Sequence, residues 1–131
     1  MVTVPEVAEV IEEWKAEVGQ FLSRAEGWLN EMDVPFQIER RPITINEQRS
    51  GPYDTEEMVV VTSLHHLTVK PIARWVGGGR GRVDLLCGGG RFIFIDDRER
   101  GGWNYLAERP IGHLYPLDGD LFRLLVASCL E

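Results

Sequence analysis

Three histidines and two cysteines are all the imidazole and thiol metal ligands this 131-residue chain offers. Cys87 and Cys129 are too few for a disulfide framework and sit in no ligand spacing, so they read as two small buried apolar side chains. His65 and His66 are adjacent, and on a strand adjacent side chains point to opposite faces, so they do not share one metal. No metal and no cofactor is expected. Long hydrophobic runs are also missing. The apolar stretches fall far short of the ~20 residues that span a bilayer, and the Met-Val-Thr-Val-Pro opening lacks the basic and apolar regions of a signal peptide. The expectation is a cytoplasmic protein without a membrane partner.

Catalytic signatures are missing as well. Gly77–Gly81 resembles a phosphate loop only in composition, because Val83-Asp84-Leu85-Leu86 follows and reads as strand, where a phosphate loop needs a helix N-terminus. Asp96–Gly102 has arginines where a calcium loop needs oxygen ligands. No Ser, Thr or Cys sits in a nucleophile elbow.

Charge is plentiful but uneven. Twenty-one acids and 14 bases leave a net charge of −7, which argues against general nucleic-acid binding. Residues 1–39 carry nine acids and two bases, whereas residues 70–109 carry five acids and eight bases. Arg74, Arg80, Arg82, Arg91, Arg98 and Arg100 make that second stretch locally basic. Apolar content of 44% with 27% charged residues fits a folded chain and excludes disorder, and the length suits one domain over residues 1–131.

The patterning gives the fold class. Thr3, Pro5 and Glu6 read as a helix start. Val7, Ile11, Trp14, Val18, Phe21, Ala25, Trp28 and Met32 then repeat every three or four residues up to Pro35, an amphipathic helical stripe. Its wide aromatic positions suit a sheet face better than a two-helix seam, although a self-associating seam and a homodimer stay open. Period-two alternation follows from Phe36 to Ile45, with Gln48–Asp54 as a loop, and strands are expected over 58–64 and 67–76, the second bent at Pro71. Further strands are expected at Arg82–Cys87, Arg91–Asp96 and Trp103–Leu106, with loop or edge strand at Ala107–Pro116. The glycine-rich gaps between them are too short for parallel crossovers. Asp118 caps a short apolar helix, Gly119–Leu130. The class is α+β: a long N-terminal helix on one antiparallel sheet of five to seven strands, with a short C-terminal helix at an edge or end.

Register points to a candidate surface. Taking Gly88–Gly90 as a three-residue loop sets Arg82 opposite Asp96 and Asp84 opposite Phe94. Simple closure around Gly77–Gly81 sets Arg74 opposite Asp84, and closure around Asp97–Gly102 sets Phe94 opposite Tyr105 and Asp96 opposite Trp103. One face then holds Ala73, Trp75, Val83, Leu85, Cys87, Ile93 and Ile95 as core. The other holds Arg74, Arg82, Asp84, Phe94, Asp96, Trp103 and Tyr105, a mix of aromatics and Arg/Asp pairs suited to recognition. These readings favour a non-catalytic binding or protein-interaction module for a protein or small polar ligand. The alternative is a small hydrolase-like enzyme with a polar pocket on that face or at a histidine.

Overall fold

A computed structural model describes residues 4–77, 79–97, 99 and 101–131. Thr3, Gly78, Arg98 and Arg100, which figure in the sequence reading, lie outside the described residues. The chain runs α1 (Val4–Asn30), β1 (Gln37–Glu47), β2 (Gly51–Val61), β3 (His66–Ala73), β4 (Arg82–Cys87), β5 (Gly90–Asp97), β6 (Gly102–Leu106), β7 (Leu114–Pro116) and α2 (Gly119–Cys129). The seven strands form one antiparallel meander in sequence order. This is the α+β arrangement expected from the patterning. Among the described residues, no helix is long and apolar enough to cross a membrane.

Both helices cover one face of the sheet. The α1 stripe delivers Ile11, Trp14, Val18, Phe21 and Ala25 to the core, with Trp28 and Met32 only partly buried, together with Leu22 and Leu29, which the period had left off the stripe. The rings connect in series. Trp14 lies 6.2 Å from Trp103, Trp103 4.7 Å from Phe21, and Phe21 5.8 Å from Phe94. Phe94 continues to Phe122 of α2 at 6.0 Å, and Phe122 to Trp28 at 5.3 Å. Aromatic pairs at these spacings add stabilisation beyond the area they bury. Asp118 caps α2 as expected, its carboxylate accepting from the Leu121 amide at 2.8 Å.

Residues 51–54, expected within a loop, instead open β2, which pairs them with residues 44–47 and ends at Val61 rather than Leu64, and two further expectations need correction. Gly88–Gly90 is not a three-residue loop. Cys87 pairs with Gly90, and the connection is Gly88-Gly89 alone, with φ of 47° and 93°. Positive φ at both central residues is what a two-residue hairpin requires, and two glycines adopt it without strain. The shorter loop moves the β4–β5 register by one residue, so Val83 meets Phe94, Leu85 meets Phe92, and Arg82 meets Ile95. Likewise Asp84 lies opposite Lys70 and not Arg74, because β3 ends at Ala73 with a register shift after Pro71. The second correction concerns the cysteines. They are joined in a disulfide across a Cα–Cα distance of 5.8 Å, tying the end of α2 to the end of β4. A separation of 42 residues carries no local signal of such a pairing.

Two substitutions test this framework. Phe94→Ala empties the centre of the ring series and should lower unfolding free energy by about 3–5 kcal/mol, measured by urea titration. Cys129→Ser opens a 42-residue loop and should cost up to about 4 kcal/mol on the chain-entropy estimate, with reduction of the native protein by a dithiol producing a similar drop.

Candidate functional site

The seven residues assigned to one recognition face do not share it. The corrected register sends Phe94, Asp96, Trp103 and Tyr105 to the helix-covered face and Arg82 and Asp84 to the opposite one. Phe94 is fully buried against both helices, and Tyr105 packs between Phe92, Phe94 and Tyr115. Arg82 grips Asp84 two residues along its own strand with two bonds of 2.8 Å. That carboxylate is 1% exposed, so its partner is internal and its hydrogen bonds raise the Arg82 guanidinium's pKa. Two of the expected pairings stand: Phe94 opposite Tyr105 and Asp96 opposite Trp103.

Arg74 and Asp96 remain near each other at a charged end of the molecule beneath the first half of α1. The loop following β3 is drawn in tightly. Arg80 donates its amide to the Asp96 carbonyl at 2.7 Å, and the Asp96 amide donates to the Gly81 carbonyl at 3.0 Å. A Cβ on Gly81 would lie 2.3 Å from the Trp14 ring, and one on Gly79 would lie 2.3 Å from Ile95. These glycines therefore serve close approach of backbone to side chain, a role their composition alone did not disclose.

Glu47, at the end of β1, pins the other side of this loop. Its carboxylate accepts from the amides of Arg74 and Trp75 at 3.0–3.2 Å and from the Tyr53 hydroxyl. Burial first, and then the hydrogen bond to Glu47, push the Tyr53 hydroxyl well above its ordinary pKa. The fully buried Trp14 indole N–H lies close enough to favour the Tyr53 oxygen, yet it completes no hydrogen bond of normal geometry.

Arg49 and Arg74 stand around this anchor, and Arg80 lies near enough to Arg74 to repel it. The Arg49 and Arg74 guanidinium carbons lie 5.6 and 5.9 Å from the centre of the Trp75 ring, within cation–π range. A cavity of about 410 Å³ opens there, lined by Glu47, Gln48, Arg49 and Trp75. Among the described residues, none of the three arginines forms an ion pair within 4.0 Å. Burial and the like charge of Arg80 lower the Arg74 pKa, while Glu17, Asp96 and Glu47 oppose that shift. Glu17 on α1 is held above its ordinary value by burial first and by Asp96 second. Asp96 is raised by burial, with Arg80 and Arg74 pulling the other way.

A larger cleft of about 580 Å³ lies near the other end of α1, lined by Val34, Pro35, Leu64, His65 and Leu130 among others. It is mainly apolar, and its one basic side chain, His65, stands alone. The charged end is therefore the better chemical candidate, since binding sites combine an apolar wall with a few convergent polar groups. Among the described residues no group of three His, Cys, Asp or Glu side chains converges as a metal site. Arg49 escaped the sequence reading and Trp75 was assigned to the core face; 26 positions separate the two, and only the approach of the β1 and β3 ends brings them together. Arg80 was noted solely as a member of the basic stretch.

The raised carboxyls give a pH test. A carboxyl whose folded pKa exceeds its unfolded one binds protons more readily in the folded state. Its stabilising contribution is complete below the unfolded value and is lost as pH rises through the folded value. Asp96→Asn should therefore raise the urea midpoint at pH 7. It should also flatten the rise in stability seen when the native protein is acidified through the range just above the ordinary carboxylate values.

No protein-family model matches the chain, and neither a curated protein nor a solved structure matches it.

Proposed function

We propose that this chain is a non-catalytic binding module that takes an acidic group, from a protein partner or a small polar ligand, at Arg49, Arg74, Arg80 and Trp75. One observation carries the reading: guanidinium groups without close carboxylate partners cluster at one end, two of them against an indole. Arginine presents a planar fork that matches carboxylate or phosphate oxygens, and packing on an aromatic ring limits the orientations it must give up on binding. An arriving anion also relieves the repulsion between Arg74 and Arg80 that lowers the Arg74 pKa. Arg and Trp are the side chains that most often anchor interfaces. Arg74 is thus kept from the expected surface, whereas Arg82 stays committed to Asp84.

A small hydrolase is the second reading, and one observation favours it. Glu17 and Asp96 are electrostatically coupled carboxyls, each held above its ordinary value, and a raised carboxyl can serve as a general acid. The disulfide bears on the setting. Such bonds persist in oxidising compartments and are rare in reducing cytoplasm, which weighs toward the former.

The test is a titration of the full chain with hexaglutamate, citrate and inorganic phosphate, followed at the arginine Nε–H resonances. Saturable shifts at Arg49 and Arg74 are expected for at least one of them. Arg74→Ala should then weaken that binding about tenfold, equivalent to about 1.4 kcal/mol. Absence of saturable shifts with all three, or undiminished binding by Arg74→Ala, rules the module reading out at this site.

A further inference from the structure

Among the described residues no helix covers the face of the sheet that turns away from α1 and α2, and only the loop at Gly79 lies against it, at Ile95, yet its composition is that of a covered face. Successive positions in β5 read Phe92-Ile93-Phe94-Ile95, and β2 reads Met58-Val59-Val60-Val61. An antiparallel sheet solvated on one side alternates apolar with polar residues, whereas continuous apolar runs belong to strands buried on both sides. Phe92, Phe94, Met58 and Val60 join the core beneath the helices. Their alternates face outward. Cross-strand pairing sets Asp84, Ile93, Leu106 and Leu114 in one row across β4 to β7, and Val59, Thr68 and Leu86 in the next across β2 to β4. Ile93, Leu106, Leu114 and Leu86 are only half-buried, and none of them belongs to the core cluster.

We infer that this outward face is the contact surface for a second copy of the same chain, the two sheets packing face to face. Charge selects the occupant. The chain as a whole carries −7, so most contacts between two copies place like charges together. The outward face is balanced instead: Glu39, Glu57, Asp84 and Asp97 against Arg41, Lys70, Arg82 and Arg91, with pairing that opposes Arg41 to Glu57 and Lys70 to Asp84. A strongly acidic or basic partner gains nothing from such a surface, but an identical copy meets no net repulsion. The one buried charge there, Asp84, is already bonded twice by Arg82, so docking leaves no carboxylate stranded. Size is adequate. Five neighbouring strands about 4.8 Å apart and about six residues long at about 3.3 Å each span roughly 500 Å² per copy. Two such patches reach roughly 1,000 Å², the lower limit for a specific interface.

The rival contact is α2, where Leu124 is 66% exposed. Sedimentation equilibrium on the full chain separates the two. The native protein should give twice its 14.9 kDa mass. Ile93→Lys and, independently, Leu106→Lys should return it to a single mass with unchanged near-UV circular dichroism, while Leu124→Asp leaves the doubled mass intact. A mixed sample of isotope-labelled and unlabelled native protein should show intermolecular contacts at the Ile93 and Leu106 methyl groups, a readout independent of any variant's folding. A native protein of single mass at the highest soluble concentration overturns the inference. So does loss of the doubled mass in Leu124→Asp, or a doubled mass without intermolecular contacts at those methyls.

Discussion

The Gly88-Gly89 turn decides what every strand of the sheet's centre presents to each side. Side chains alternate with a period of two, so one added residue in a hairpin loop exchanges the two faces of the strand that follows. With two residues at positive φ, Cys87 closes on Gly90 and Phe92 and Phe94 fall on the helix side. With three, Ile93 and Ile95 would fall there. The aromatic series from Trp14 to Trp28 needs Phe94 at its centre, and β6 follows β5 in register, so Trp103 and Tyr105 join the same side. A tight turn thus governs a core that spans both helices, and Arg82 and Asp84 are released to pair on the far face.

The charged end depends on a second kind of constraint, the approach of backbone to ring. Gly81 lets the chain pass against Trp14, and this brings the Arg80 and Asp96 backbones into ladder contact. Glu47 then fixes the Arg74–Trp75 amides from the opposite side. The arginine side chains are consequently held by their backbones, and none needs an ion pair to stay in place. That distinguishes them from Arg40, Arg82 and Arg123, whose guanidiniums are spent on Glu56, Asp84 and Glu31 with Asp120.

Much of the architecture was legible because it rests on periodicity. The α1 stripe, the strand limits of β4, β5 and β6, and the Asp118 cap all follow from local spacing, which the chain must satisfy wherever it packs. The candidate site was not, for two physical reasons. Three consecutive glycines allow turns of two or three residues equally well, and the choice is made by which hydrophobic face the helices accept. Glu47, Arg49 and Trp75 meet only because β1 and β3 end near each other, a relation between strands that are not neighbours in the sheet. The disulfide was hidden for the same reason, since Cys87 and Cys129 meet through the docking of α2. Arg74 and Asp96 were assigned other partners, Asp84 and Arg82, and it is the folded charged end that brings the two into electrostatic contact with each other.

Those corrections also redistribute roles between the two faces. A recognition surface built of exposed aromatics would have left the core short of its largest side chains. Instead Phe94, Trp103 and Tyr105 stabilise the monomer, and the outward face is aliphatic with balanced charge. Balanced aliphatic surface offers broad contact without steering, whereas the arginine end offers direction with little area. In the proposed readings the two surfaces take different tasks: one holds a second copy, and the other exchanges an acidic group. Ionised Glu17 and Asp96 cost stability at the arginine end. They also keep Arg74 and Arg80 from repelling each other out of position, because each carboxylate acts on both guanidiniums without closing on either. A tighter ion pair would stabilise the fold more and leave the arginines unable to turn to a ligand.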